Sequence, residues 1–272
     1  MAGFWNRGAE KCYNLATLEL LLAMTPVWTS ALVALSVATG VALSPQTERH
    51  PFHEPLPSVA ERAKGPASRF ADLSPTECQK QLKLTGELGK VFVRQGPSHG
   101  IATPLRMVGP LGEVAFQVPS PKTMFGLLDC RQALLWIQLL PLLEEHKIAK
   151  IRIDNFYRDG ARISRRGKKS QHSYGLAADV VALTLKDGRE LDVLTDFLGR
   201  VGEEPCGPSA AVYPLKDTTA EQIARAIDLR NFVCALARSG AFHHILTPNH
   251  DMAHRNHLHV DLKRDNKWFS VD

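Results

Sequence analysis

Three side chains in this sequence have the types and spacing to grip one metal ion. His172 and Asp179 stand in Ser170-Gln-His172-Ser-Tyr-Gly175-Leu-Ala-Ala-Asp179. His259 closes a later histidine-rich segment, His254-Arg-Asn-His257-Leu-His259. Two imidazoles and one carboxylate are the ligand set of a catalytic zinc ion, which keeps its fourth position open for water. Such an ion activates that water and polarises a carbonyl, so hydrolysis is the chemistry this set suggests. His257 is placed to act as general base, taking the proton of water and returning it to the leaving nitrogen. His254 is placed to stabilise an oxyanion or to share the proton transfer. Asp261, two residues after His259, is placed to support that ligand by hydrogen bonding. A histidine taken alone is more often a structural residue. The combined pattern of H-x6-D followed by H-x-x-H-x-H is what singles these out. His243, His244 and His250 read as loop or rim histidines, with extra metal contacts as the weaker alternative.

A site of this kind needs two neighbouring strands. Residues 179–185 and 257–262 have strand character, and alternate side chains on a strand share a face. His257 and His259 therefore face one way, with Leu258 and Val260 facing the other. Gly175 makes a turn that folds His172 back toward Asp179. Residues 150–156 alternate as a third strand, and 105–118 read as a hairpin. The apolar spacing of 129–145 predicts a helix with a kink or break at Pro141. A short helix is expected over 190–198. A long amphipathic helix is expected over 219–238, with Thr218 or Thr219 as N-cap and Gly240 as C-cap. This order of elements predicts an α+β fold, a mixed, mainly antiparallel sheet flanked by helices.

The chain has 272 residues, 44% hydrophobic and 22% charged, with a net charge of +5. That suits one sizeable globular domain with extensions. Arg7 and Lys11 precede an apolar stretch whose best part, 27–43, carries no charge. Residues 1–44 accordingly read as a signal peptide or membrane anchor, with anchoring through 27–43, and a buried helix is the remaining alternative. Residues 45–75 are rich in Pro, Ser and charge and read as a linker. Residues 76–272 are the globular domain. None of the five cysteines forms a CxxC pair, which argues against a cysteine zinc cluster. Export would permit disulfides. With Cys12 in the targeting segment, the remaining four allow three pairings, of which Cys78–Cys130 with Cys206–Cys234 closes the shortest loops. The basic run Arg165, Arg166, Lys168 and Lys169 reads as a solvated loop or an attractor of anionic polymer. It has no interleaved aromatic residues to stack on bases, so no nucleic-acid partner is expected.

Ser-x-His-x-x-Gly-x-Ala-x-Asp with a later His-x-His strand is similar to the zinc peptidases of the D-Ala-D-Ala carboxypeptidase and lysostaphin type. More closely, the chain from Cys78 to Leu262 resembles bacterial extensin-like C-terminal domain proteins. Leu128-Asp129-Cys130, Ile163-Ser164 through Asp179-Val180, Lys186-Asp187-Gly188-Arg189 and the histidine-rich end carry that resemblance. It implies a hedgehog/DD-peptidase-like α+β fold and Zn2+ on His172, Asp179 and His259. The substrate it implies is the peptide part of peptidoglycan, in the periplasm or outside the cell. Tyr157 and Arg158 match the pair that holds a substrate carboxylate, and Ser170 matches a serine that donates to substrate. One position departs from the pattern: Asn256 stands where relatives carry an acidic residue before the histidine pair, and an amide is no general base. The expectation is a zinc-dependent hydrolase of peptide bonds in the cell wall, with His257 as base. The alternative is an envelope module that binds zinc and cell-wall components without turnover.

Overall fold

A computed structural model describes residues 49–163 and 167–272. The expected targeting segment, with 27–43 and Cys12, lies outside the described residues, as do Arg165 and Arg166. Among the described residues no helix is long and apolar enough to cross a membrane.

The fold is α+β, with one large mixed sheet, one small antiparallel sheet and short helices beside a single long one. Its strands are β1 (Phe92–Arg94), β2 (Pro104–Met107), β3 (Ala115–Gln117), β4 (Leu127–Asp129), β5 (Ile148–Asn155), β6 (Ala177–Leu185), β7 (Glu190–Asp192), β8 (His244–Leu246), β9 (Leu258–Asp261) and β10 (Ser270–Val271). Its helices are α1 (Val59–Arg62), α2 (Pro66–Ala71), α3 (Pro75–Leu84), α4 (Cys130–Gln138), α5 (Leu140–Glu145), α6 (Val193–Asp196) and α7 (Ala220–Arg238). β6 is rich in Val, Ala and Leu and is buried along nearly its whole length, as a central strand must be. It anchors a seven-stranded sheet of order β10-β8-β9-β6-β5-β3, with β7 also paired to β6. The β8–β9, β9–β6, β6–β5 and β6–β7 pairs are antiparallel; β10–β8 and β3–β5 are parallel. A separate three-stranded sheet has the order β1-β2-β4.

One face of the large sheet is apolar. Val180, Leu258 and Val260 meet Trp136 of α4 and Phe232 and Leu236 of α7 there. α7 buries Ala226, Leu229, Arg230, Phe232, Val233, Cys234, Leu236 and Ala237, a broad face that in its second half wraps most of the helix. Thr219 caps its start by accepting from Gln222 N–H, and Gly240 follows its end at φ 62°. Pro141 divides the expected helix into α4 and α5, since its ring cannot continue the helical bonding.

Four expectations need correction. Residues 51–75 are not a free linker, because Phe52, Ala67, Phe70 and Ala71 are buried in the main core. Phe52 N–H donates to Asn231 Oδ1 on α7, and Ala67 N–H donates to Gly240 O just beyond it. Residues 105–118 are not a hairpin: β2 pairs with β1 and β4, while β3 joins β5 in the other sheet. The expected helix over 190–198 opens as strand β7 and becomes helical only at α6. His243 and His244 lie at and on β8 inside the sheet, not on a loop.

Two disulfides close the fold, Cys78–Cys130 between α3 and α4 and Cys206–Cys234 from a loop to α7. The first spans 52 residues, worth about 4 kcal/mol in the chain-entropy account. A Cys78→Ser, Cys130→Ser double variant is expected to lose stability of that order in urea denaturation. A loss under about 1 kcal/mol would show that the bridge does not constrain the unfolded chain.

Candidate metal centre

β5, β6 and β9 lie side by side, and their register sets a polar row across the sheet. Asn155 pairs with Asp179, and Asp179 pairs with His259. Directly paired residues point to the same face, so all three side chains project away from the apolar layer. His172 arrives from a short 3-10 helix, Gln171–Tyr174, just ahead of β6. Ser170 caps that helix, its hydroxyl accepting from His172 N–H. Gly175 ends it at φ 62°, and a Cβ there would meet Asp129 N at 2.9 Å. Only glycine combines that left-handed backbone with so close a neighbour.

The result is a triangle of donor atoms. His172 Nε2 lies 3.0 Å from Asp179 Oδ1 and 3.0 Å from His259 Nδ1, and the latter two are 3.1 Å apart. All three residues are buried. Around a tetrahedral ion with bonds of about 2.0–2.1 Å, ligand atoms stand about 3.3–3.4 Å apart, so the triangle needs only slight widening.

Outer hydrogen bonds fix which nitrogens carry protons. His172 Nδ1–H donates to Phe156 O at 3.1 Å, and His259 Nε2–H donates to Asp261 Oδ2 at 3.3 Å. The inner atoms, His172 Nε2 and His259 Nδ1, are left with lone pairs directed at each other and at a carboxylate. Three acceptors this close repel one another unless a proton or a cation lies among them. Asp179 is held by its outer oxygen as well, which accepts from Asn155 Nδ2 at 2.8 Å. The donor set and its supports fit a metal ion.

Charge follows the same geometry. Burial works against a proton on His259, but the flanking Asp179 and Asp261 carboxylates outweigh it and raise its pKa to about 9. Burial pushes Asp179 up, yet its bonds to His172 and His259 win and hold it well below the ordinary carboxylate range. Burial lowers His172, which stays neutral near pH 7. A proton on His259 Nδ1 and a metal ion thus compete for one lone pair. Metal uptake at pH 7 should release a proton, and apparent affinity should rise with pH until about 9. Calorimetric titration in two buffers of different ionisation enthalpy measures this; identical heats in both would contradict it.

The remaining expected residues divide. His257 Nε2 lies 3.6 Å from Asp179 Oδ1, at the edge of the triangle. Its Nδ1–H donates to Asn256 Oδ1 at 3.0 Å, which leaves Nε2 as the acceptor. Burial lowers its pKa, so it is a neutral base at pH 7. Asn256 therefore orients the histidine beside it. His254 lies beside His257, with ring centres 5.1 Å apart and planes tilted by 45°. Its Nδ1–H donates to Asp251 Oδ1 at 2.7 Å. With His250 these two form a second, more exposed group that could hold a metal ion. Arg158 is about half exposed and reaches to 3.7 Å from Asp179 Oδ2. Tyr157 is buried, and its hydroxyl donates to His99 O at 2.6 Å and lies 3.0 Å from Asp159 Oδ1. Its hydroxyl is covered by the exposed side chains of His99 and Asp159. Ser170, expected to donate to substrate, accepts from His172 N–H through its hydroxyl oxygen, a bond that does not use its O–H.

Asn155 was not singled out by the sequence, and His244 was read only as a loop or rim histidine. Asn155 had no signal beyond its place on an alternating strand, because its role comes from pairing with β6. His244 belongs to a strand of three residues, too short for a periodic pattern. Comparison of the chain with family models, with curated proteins and with solved structures gave no match.

Proposed function

We propose that this protein is a zinc-dependent hydrolase of peptide bonds in bacterial cell-wall peptidoglycan, with a hedgehog/DD-peptidase-like fold. The observation that carries the reading is the buried triangle of His172 Nε2, Asp179 Oδ1 and His259 Nδ1 with a neutral imidazole, His257, at its edge. Two nitrogens and one carboxylate oxygen, without sulfur, match a catalytic zinc site with one position left open. Zinc held there supplies Lewis-acid chemistry, activating water and polarising the scissile carbonyl.

The chain's own groups carry the proton. His257 Nε2 accepts it as the water oxygen bonds to the carbonyl carbon. The same nitrogen returns it to the amide nitrogen as the C–N bond breaks, giving a carboxylic acid and an amine. His254, its Nδ1–H fixed on Asp251, stands next to His257 with Nε2 as an acceptor suited to share the proton. Arg158 presents a guanidinium to the substrate, suited to a peptide carboxylate through paired N–H bonds. Asn256, the one departure from the acidic pattern, supports His257 as base by fixing its tautomer. Two disulfides favour an oxidising compartment, in keeping with the cell envelope.

Digestion of purified peptidoglycan, with products read by mass spectrometry, tests the reading. New amine and carboxylate ends that vanish with chelator and return with zinc are expected. Zinc bound at one per chain with no cleavage product would leave the non-catalytic envelope module in its place.

A further inference from the structure

We propose that His244 is a positioning residue for the metal centre, acting on His259 through Asp261. The inference rests on the reading of His172, Asp179 and His259 as metal ligands. β8 and β9 pair in a register that sets His244 directly opposite Asp261, while Asp261 lies two residues from His259 on the same face. Each oxygen of the Asp261 carboxylate takes one imidazole. Oδ1 accepts from His244 Nδ1–H at 2.8 Å, and Oδ2 accepts from His259 Nε2–H at 3.3 Å. The carboxylate is nearly buried, and His244 is the more exposed end of the row.

The two distances show which bond holds the carboxylate. The bond to His259 is long and weak as an orienting contact on its own. The bond to His244 is short and charge-assisted, and it fixes the plane of the carboxylate. Backbone pairing of β8 on both sides, with β9 and β10, holds His244 in turn. Removing the His244 donor leaves a buried anion with one long bond, which favours rotation of its carboxylate away from His259. His259 would then lose the partner that sets its tautomer and strengthens Nδ1 as a donor. Outer partners of this kind change metal affinity by about 10–100-fold.

Amides of different reach separate this role from simple packing. In His244→Asn the side-chain NH2 falls where Nδ1 was, whereas in His244→Gln it reaches one bond further. Zinc affinity is read by competition with a chromophoric chelator, and the ligand field by the visible spectrum of the cobalt-substituted protein. His244→Asn should stay within about 3-fold of wild type with an unchanged cobalt spectrum; His244→Gln and His244→Ala should bind about 10-fold more weakly with a shifted spectrum. Equal affinity in all three variants, or His244→Asn as weak as His244→Gln, would overturn the role of His244 while leaving the metal centre standing. Wild-type protein that takes up no zinc would overturn the metal centre itself, and His244 with it.

Discussion

Asp179→Asn protein should fold, keep both disulfides and lose its zinc. The amide keeps the volume of the carboxylate and can still meet Asn155, but it presents no anion to the ion. Spreading roughly 10–16 kcal/mol of zinc binding over four ligands gives about 3 kcal/mol each, or about 10²-fold in affinity. The real loss should exceed that, since Asp179 is the only anion among the three inner donors and touches both imidazoles. Loss of the anion also removes one of the two carboxylates that raise His259. Zinc content by elemental analysis after gel filtration checks this, with circular dichroism to confirm folding. A folded variant with one zinc per chain would remove Asp179 from the ligand set.

His257→Ala should separate binding from chemistry. His257 Nε2 lies outside the triangle, so zinc content should match wild type. Turnover of a peptidoglycan fragment should fall by about 10²–10⁴-fold, the usual contribution of a positioned base. The loss should appear in kcat, with KM little changed, because the imidazole acts on the proton in flight and not on the bound peptide. Because burial holds this histidine below its ordinary pKa, wild-type activity should already be on its plateau at pH 7 with respect to this group. Undiminished kcat in a zinc-loaded His257→Ala protein would assign the base to another residue, with His254 next in line.

The site was legible because strand periodicity is short-range. His257 and His259 on one face, with Leu258 and Val260 on the other, follow from alternation alone, and the structure buries the two apolar residues in the core. Gly175 likewise announced the turn that returns His172 to Asp179. Strand neighbours carry no such local mark. Asn155 and His244 act only because β5 meets β6 and β8 meets β9, pairings between residues 24 and 17 positions apart. The same limit explains the false hairpin over 105–118, whose strands find partners elsewhere in the chain. Residues 51–75 were misread for a different reason. Their Pro, Ser and charge content looked like linker, yet Ser58 with Glu61 and Ser74 with Glu77 form capping boxes that start α1 and α3. Phe52 and Phe70 supply the apolar anchors between and beside those helices. Tyr157 was expected to hold substrate by resemblance, and the bond of its hydroxyl to His99 O, 58 residues away, is a tertiary fact no sequence pattern states.

The proposed chemistry depends on where one cation sits. Crystals of zinc-loaded protein, measured just above and below the zinc absorption edge, locate it directly. One strong anomalous peak is expected among His172 Nε2, Asp179 Oδ1 and His259 Nδ1, at about 2.0–2.2 Å from each. A crystal with no peak there, or with zinc only on His250, Asp251 and His254, would contradict the account.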